Sequence, residues 1–302
     1  MSGKIKSAKK YTTQQQKLSF GNSETEEILA SESFYDQNGN LCEEIKSGDD
    51  HSENERHVFE YDAQGKLIRH VLELTTDGIS ETLVYTRDEK GRVVVDQKFY
   101  GDDPGEKVTF EYHTHQQPVK IERHDPDGEL ESVEILTYDE SDKLIQHQKF
   151  DAHNQIVETT SIAYNEKGLP SEKKVTDSDG NEISSTEITY DENGDVIRIT
   201  EWNEQGKITS DVLSVYDERR NVTERKIKDF QSRTLKFGYD EHDNCIVEEV
   251  YDENGNLIRK HSYEFDDQKQ ITSETSLFLD PMRGGNFNNS SSRYEYEYWT
   301  NG

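Results

Sequence analysis

Apolar and polar residues alternate along most of the chain with a period of two residues. Leu130, Leu136 and Tyr138 share one parity, and the same arrangement returns with Ile156 and Tyr164. Residues two apart in a β-strand lie on the same face, so each segment would have one apolar face. No segment carries a 3.6-residue period over a length that favours a helix. The pattern therefore predicts an all-β chain.

A short turn motif separates the alternating segments. Its clearest copy is Tyr251–Leu257, with the order Tyr-Asp-Glu-Asn-Gly-Asn-Leu. Asp252 suits the first position of a type I turn, and Gly255 suits the left-handed position that follows it. A connection this short joins antiparallel strands, because a parallel crossover needs about a dozen residues. Each copy therefore predicts a strand, a turn and a second strand.

The motif recurs at a nearly fixed spacing. The aromatic residues that precede one set of turns are Tyr35, Tyr61, Tyr85, Tyr112, Tyr138, Tyr164, Tyr190, Tyr216, Tyr239 and Phe265. Most of these steps are 26 residues, and a second set of turns lies between them. A fixed period of this kind predicts a repeat architecture, here an antiparallel up-and-down meander of roughly 20 strands. Because an open sheet rarely exceeds about 10 strands without curling, we expect these two-strand repeats to form a long, twisted or spiralling β-strip.

The two ends of the chain depart from the repeat. Residues 1–24 carry five lysines and no acid before Glu24, which predicts a mobile basic arm, with a short terminal strand as the alternative. Residues 25–279 form the predicted repeat domain. Residues 280–302 are predicted to be a loop and a C-terminal strand that caps the last sheet edge. The period also slips near 99–118 and 227–238, where the irregular turns favour a plain change of loop length, with bends or binding loops as the alternative.

The turn motif resembles a known repeat. Tyr35–Leu41, Tyr61–Leu67 and Tyr190–Val196 share the order Tyr-Asp-x-x-Gly-x-Leu or Val, which resembles the YD repeats of bacterial Rhs and wall-associated proteins. The resemblance implies a β-strip that spirals, and in large Rhs-type proteins such strips form shells around a toxin domain. This chain departs from that family in its length and in lacking a recognisable toxin tail or core-cleavage signature. The resemblance therefore does not extend to a complete shell.

Composition narrows the class of partner. Hydrophobic residues are 30% of the chain, which argues against a thick core, and the formal net charge is -29. A strongly negative surface disfavours nonspecific attraction to nucleic acid and to anionic membranes. Another protein, and on charge grounds a basic one, is the expected partner; the oligomeric state is left open.

The two cysteines and the N-terminus carry no compartment signal. Cys42 and Cys245 are far apart and form no CxxC motif, so neither a disulfide framework nor a zinc site is indicated. No apolar segment has the length of a secretory signal or a membrane span. We expect a cytoplasmic protein, with export by a route without a cleaved signal left open.

Catalytic and metal-binding signatures are weak. The chain has no nucleophile elbow, Cys-His signature or phosphate loop, which predicts a non-enzyme without a cofactor. Asp177–Asn181 places oxygen ligands around a glycine, but a hairpin turn demands the same residues. His113 and His115 would share one face of a strand, so a transition-metal pair stands beside the interpretation as ordinary histidines.

We expect a non-catalytic interaction or scaffold module, with two alternatives. One is an acidic immunity or inhibitor protein that neutralises a basic toxin through surface carboxylates. The other is a carbohydrate-binding surface protein that uses exposed aromatic rings. The candidate binding residues are Trp202, Asp102, Asp103, Glu129, Glu131, Tyr294, Tyr296 and Tyr298.

Overall fold

The computed structural model describes residues 4–17, 23–47, 54–74, 78–113, 116–280 and 285–300. Its strands are β1 (Ile5–Lys17), β2 (Ser23–Tyr35), β3 (Leu41–Ser47), β4 (Asn54–Tyr61), β5 (Leu67–Leu74), β6 (Ile79–Arg87), β7 (Val93–Tyr100), β8 (Asp103–Glu111), β9 (Lys120–His124), β10 (Leu130–Tyr138), β11 (Leu144–Asp151), β12 (Ile156–Tyr164), β13 (Pro170–Thr176), β14 (Glu182–Tyr190), β15 (Val196–Asn203), β16 (Ile208–Tyr216), β17 (Val222–Lys228), β18 (Arg233–Tyr239), β19 (Cys245–Tyr251), β20 (Leu257–Phe265), β21 (Ile271–Asp280) and β22 (Gly285–Tyr298). Successive strands pair in antiparallel register, so the predicted all-β meander is confirmed. The described part of the chain contains no helix with the length and hydropathy that a membrane span requires.

The turns have the predicted chemistry. Between β14 and β15, Asp191 Oδ1 accepts the N–H groups of Asn193 (2.9 Å) and Asp195 (2.8 Å). Gly194 has a φ of 87°, and the register shifts between Thr189 and Tyr190, as a bulged hairpin turn requires. Residues other than glycine adopt the same left-handed backbone conformation in several other turns, at Asp142, Asn154, Arg220, Asp243 and Lys269.

Six of the recurring tyrosines are anchored through their hydroxyl groups. Tyr164, at the end of β12, donates a 2.8 Å hydrogen bond to the carbonyl of Leu144 at the start of β11. The same bond is made by Tyr61 to Leu41, Tyr112 to Val93, Tyr138 to Pro118, Tyr190 to Pro170 and Tyr216 to Val196. The tyrosine that precedes a turn therefore fastens the end of its strand to the preceding strand.

The chain divides into two compact units. Unit 1 contains Met1–Val84, Tyr100–Asp102 and Lys236–Gly302. Within it, β22 pairs with β21 on one side and with β1 on the other, and β1 also pairs with β2. The prediction of a long strip is therefore corrected, because its first and last strands, β1 and β22, are hydrogen-bonded to each other.

Both chain ends differ from the sequence-based prediction in a second way. Ile5–Lys17, placed in a mobile arm, form β1, and β22 begins at Gly285, inside the predicted loop. Polar side chains are tolerated in β1 because Lys6, Lys9 and Lys10 have carboxylate partners; Lys10 Nζ, for example, lies 2.7 Å from Glu274 of β21. Ladder hydrogen bonds on both sides stabilise such a strand without a large apolar face.

Unit 2 contains Tyr85–Phe99 and Asp103–Leu235. From β8 to β17 each strand pairs with the next, with the register shifting beside most turns. Hydrogen bonds between neighbouring strands thus run through the whole series β8–β17.

Apolar burial is thin in both units. The buried hydrophobic residues are Val71 and Val250 in unit 1 and Val133 and Val175 in unit 2. Within the described ranges, no side chain is less than 2% exposed. Cross-strand ion pairs supplement this packing, as between Arg198 Nε and Asp211 Oδ1 at 2.8 Å. The low apolar content of the sequence is matched by strands held mainly through their backbone ladders.

Candidate binding surfaces

One edge of unit 2 is built from four turns of the same kind. They connect β10 to β11, β12 to β13, β14 to β15 and β16 to β17, and begin with Asp139, Asn165, Asp191 and Asp217. Each of these side chains accepts two backbone N–H groups of its own turn. The N–H groups of Lys143 and Ser141 hold the pKa of Asp139 below its ordinary value. The side-chain oxygen of the first residue of each turn therefore holds the turn and is not available to a ligand.

The second residue of each of these turns is a glutamate at the tip. Glu140, Glu166, Glu192 and Glu218 are all exposed, and we call them the acidic turn row. Successive members belong to turns two strands apart, which corresponds to roughly 10 Å along the sheet. Among the described residues, no cation forms an ion pair with any of their four carboxylates. The row therefore presents regularly spaced negative charges to solvent.

Cations on the same edge make other contacts. Arg220 forms a bidentate pair with Asp195, at 2.6 and 2.8 Å, and this pair lowers the pKa of Asp195. Lys167 Nζ donates to the main-chain carbonyl of Glu192 at 2.7 Å. Lys143 Nζ lies 5.2 Å from the ring centroid of Tyr164. These side chains connect neighbouring turns or cover a ring, and they leave the glutamate tips uncompensated.

A recess of about 590 Å³ lies on β13–β15 of unit 2. Trp202 lines it and is half-buried, whereas the sequence suggested an exposed ring. Trp202 of β15 is opposite Ser185 of β14 in the sheet register, and Glu187 of β14 is opposite Glu172 of β13. Lys174 completes the polar lining and pairs with Glu172 at 2.9 Å. An aromatic ring flanked by a hydroxyl and charged groups is the type of lining that binds polar ring-shaped ligands.

Phe230 is the functional candidate that the sequence analysis missed. It lies in the turn between β17 and β18, and 92% of its surface is exposed. The turn is structured, because Asp229 accepts the Gln231 N–H at 2.9 Å and pairs with Arg233 at 3.0 Å. Residues 227–238 were predicted to be irregular, but that prediction did not single out this ring. The sequence did contain a signal for this residue: Phe230 is the second residue of its turn, the position that is a glutamate in each turn of the acidic turn row.

The four predicted acidic binding residues are exposed but lie in different elements. Asp102 belongs to unit 1, in the turn before β8. In unit 2, Asp103 begins β8, Glu129 closes the turn before β10, and Glu131 lies in β10. The backbone N–H of Glu129 donates to Asp125 Oδ1 at 2.8 Å. The turn therefore uses the main chain of Glu129 and not its carboxylate.

The three C-terminal tyrosines contribute to packing in unit 1. Lys10 Nζ lies 5.4 Å from the ring centroid of Tyr294, and the Tyr296 hydroxyl donates to the Ile271 carbonyl at 2.9 Å. Burial raises the pKa of Tyr296 to about 12. The ring centroids of Tyr296 and Tyr298 are 6.5 Å apart. All three are half-buried in β22, so little of each ring faces solvent.

The metal interpretations of the sequence have different outcomes. Asp177 Oδ1 accepts the N–H groups of Asp179 and Asn181, as the turn interpretation requires. His113 is exposed, and His115 lies outside the described residues. Over the described ranges, no group of three or more His, Cys, Asp or Glu side chains is arranged to hold a metal ion.

The strands, turns and surface charges define an antiparallel β-repeat protein with an acidic turn row. No protein-family model matches the chain, and no curated protein matches it. A crystal structure of TcdB2-TccC3-Cdc42 is similar at 13% identity and a TM-score of 0.36, over 94% of this chain and 19% of that chain. The Photorhabdus luminescens Tc holotoxin pore is similar at 14% identity and a TM-score of 0.33, over 94% of this chain and 18% of that chain.

A third solved structure is similar over nearly its whole length. A porin-like protein from Bacteroides uniformis has 11% identity and a TM-score of 0.33, with 97% of this chain and 98% of that chain covered. By contrast, the chain spans about a fifth of the two toxin chains. At these values the likenesses assign neither a function nor a partner to this chain.

Proposed function

We propose that this chain is a non-catalytic interaction module that binds a basic protein through the acidic turn row. The observation that carries the proposal is the regular display of Glu140, Glu166, Glu192 and Glu218, whose neighbouring cations are engaged elsewhere. Negative charges at roughly 10 Å intervals complement lysine and arginine side chains on a partner surface. The excess of acids over the whole chain strengthens the long-range attraction.

The test replaces Glu140, Glu166 and Glu218 with lysine in one variant. A matched control replaces Asp127, Asp179 and Glu204 with lysine; these residues lie in turns at the other ends of the strands. Both variants therefore change the net charge by the same amount. A decalysine peptide serves as the probe, and its association rate is measured at low and at physiological ionic strength. We expect the first variant to lose much more of the rate than the control.

If both variants lost the same fraction of the association rate, the acidic turn row would act only through the overall negative charge. The row would then be rejected as a specific site. Affinity capture from the native host then identifies the partner: a protein retained by the wild type and the control, but not by the first variant, is the one that the row binds. Salt should weaken that complex chiefly through its association rate.

A second candidate function, carbohydrate binding, is favoured by the Trp202 recess. Its ring, the Ser185 hydroxyl and the carboxylates of Glu172 and Glu187 line one concave surface. A glycan array probed with the wild type, with Trp202→Ala and with Phe230→Ala separates this function from nonspecific aromatic contact. Binding that is lost only in Trp202→Ala would support the recess, and an array without hits for the wild type would reject it.

A further inference from the structure

Two histidines of unit 1 meet across neighbouring strands. Phe59 of β4 is opposite His70 of β5, and His57 is opposite Leu72, so the two histidines are diagonal neighbours. His57 Nδ1 and His70 Nε2 are 3.0 Å apart. The ring of Phe59 stacks on His70 with a centroid distance of 4.5 Å, which fixes the imidazole plane. The two ring nitrogens form a hydrogen bond, so they are held on the same side of neighbouring strands.

The second nitrogen of His57 is also positioned. Its side chain is 14% exposed, and its Nε2 is buried without a hydrogen bond within the described residues. Glu55 precedes His57 by two residues on the same face of β4, and its Oε2 lies 3.6 Å from His57 Nε2. Histidines that bind metals commonly direct their other ring N–H to a carboxylate, which fixes the tautomer. Glu55 is placed to do this for His57.

We propose that His57 Nδ1 and His70 Nε2 form a binding site for a divalent transition-metal ion of the Cu²⁺ class. A nitrogen–nitrogen distance of 3.0 Å, combined with metal–nitrogen bonds of about 2.0 Å, gives an angle of roughly 95° at the metal. That angle matches neighbouring ligands of a tetragonal site, the geometry that Cu²⁺ and Ni²⁺ prefer.

Water would occupy the remaining coordination positions. Among the described residues no third His, Cys, Asp or Glu joins the pair in a ligand group. In the metal-bound state the remaining proton of His57 lies on Nε2, where the Glu55 carboxylate accepts it. Metal binding replaces the hydrogen bond between the two nitrogens: its proton moves to the other nitrogen of the same ring, so no net proton is lost. Cu²⁺ binds most tightly among the divalent ions of its series to such nitrogen ligands.

The test titrates the full chain with Cu²⁺ and follows binding by calorimetry and by electron paramagnetic resonance. We expect one equivalent with two imidazole nitrogens in the spectrum, and no comparable binding of Mg²⁺ or Ca²⁺. His57→Gln and His70→Gln should each abolish this equivalent, whereas His147→Gln, a half-buried strand histidine of unit 2, should retain it. Glu55→Gln should weaken binding by about 10-fold to 100-fold.

Retention of the equivalent and of the two-nitrogen spectrum in both histidine variants would overturn the proposal. Circular dichroism of the metal-free variants checks that they fold. A second measurement uses the wild type alone and therefore does not require the variants to fold. Substoichiometric Cu²⁺ should broaden the imidazole NMR signals of His57 and His70 before those of the other histidines. Uniform broadening of all histidines would also overturn the proposal.

Discussion

The repeated hairpins β10–β17 of unit 2 and the terminal strands β1, β2, β21 and β22 of unit 1 are antiparallel sheets stabilised in different ways. In the hairpins a turn, its bulge and a tyrosine hydroxyl act within about 26 residues of sequence, as Asp191, Gly194 and Tyr190 show. In the terminal strands the contacts join opposite ends of the chain. Thr12 Oγ1 lies 3.2 Å from Ser292 Oγ, and Arg293 binds Glu27 through two bonds of 2.9 and 3.0 Å.

The difference has a consequence for stability. A hairpin can form from local information and is tolerant of changes elsewhere, whereas the β1–β22 pairing needs the ends of a long chain to meet. Closing a long loop costs conformational entropy before its contacts are gained. We therefore expect substitutions that break the backbone ladder of the terminal strands to have larger effects than substitutions that strain a repeat turn.

The largest expected effect comes from Ser292→Pro. Ser292 is 7% exposed and lies between Thr12 of β1 and Glu274 of β21, so proline removes a ladder donor in the interior of the sheet. The loss should be about 3 kcal/mol, the sum of a hydrogen bond and a buried unpaired carbonyl. The urea midpoint of unfolding measures it. Ser292→Ala is the control, and an equal loss there would refute the role assigned to the backbone.

The sequence predicted the hairpins and missed the terminal pairing for a physical reason. Asp252 and Gly255 specify their turn through neighbours in sequence, so the strands on either side follow without knowledge of the rest of the chain. No local signal states that Lys10 will lie opposite Tyr294. A lysine-rich segment without acids therefore predicts a mobile arm, although Lys6 and Lys10 have partners at the other end of the chain.

The binding surfaces show the same division. The acidic tips follow directly from the turn motif, because the residue after the first Asp or Asn is a glutamate in each of the four turns. The pairing of His57 with His70 depends on the register of β4 and β5, which a shift of one residue would abolish. The degree to which Trp202 is buried depends likewise on the neighbouring strands.

A smaller effect is expected from Gly194→Val in a repeat turn. Gly194 has a φ of 87°, and an added Cβ would lie 3.4 Å from Leu169 Cδ1. A β-branched residue in the left-handed region should cost roughly 1–2 kcal/mol. Thermal unfolding of unit 2 would report the change. Gly194→Asn is the matched control, because Asn154 takes this conformation with a φ of 60°, and it should cost clearly less.

Loss of one tyrosine hydroxyl should have an effect of about 1 kcal/mol, the usual net value of a single hydrogen bond. Tyr164→Phe removes the bond to the Leu144 carbonyl and keeps the ring. Tyr11→Phe is the comparison in the terminal strands, where the exposed hydroxyl lies 3.4 Å from Glu295. Urea unfolding should show a loss for Tyr164→Phe and almost none for Tyr11→Phe. The opposite order would show that the hydroxyl bonds do not fasten the repeats.

The smallest effect concerns the dependence of stability on pH in the turns. The backbone N–H groups of Lys143 and Ser141 lower the pKa of Asp139 in the folded state. A lowered folded pKa stabilises the protein above the ordinary carboxyl value of about 3.9, and this contribution is lost as the pH falls through the folded pKa. Asp139→Asn keeps an oxygen that accepts the same N–H groups, as Asn165 does in the next turn of the row.

The advantage of the wild type over Asp139→Asn should therefore be present at neutral pH and shrink under acid conditions, as measured by urea midpoints across the acid range. Asn165→Asp is the converse variant and should gain stability only above the carboxyl pKa. If both variants follow the wild type at every pH, the charge of the first turn residue contributes nothing measurable. The turn would then depend on the geometry of the side-chain oxygen alone, which Asp and Asn share.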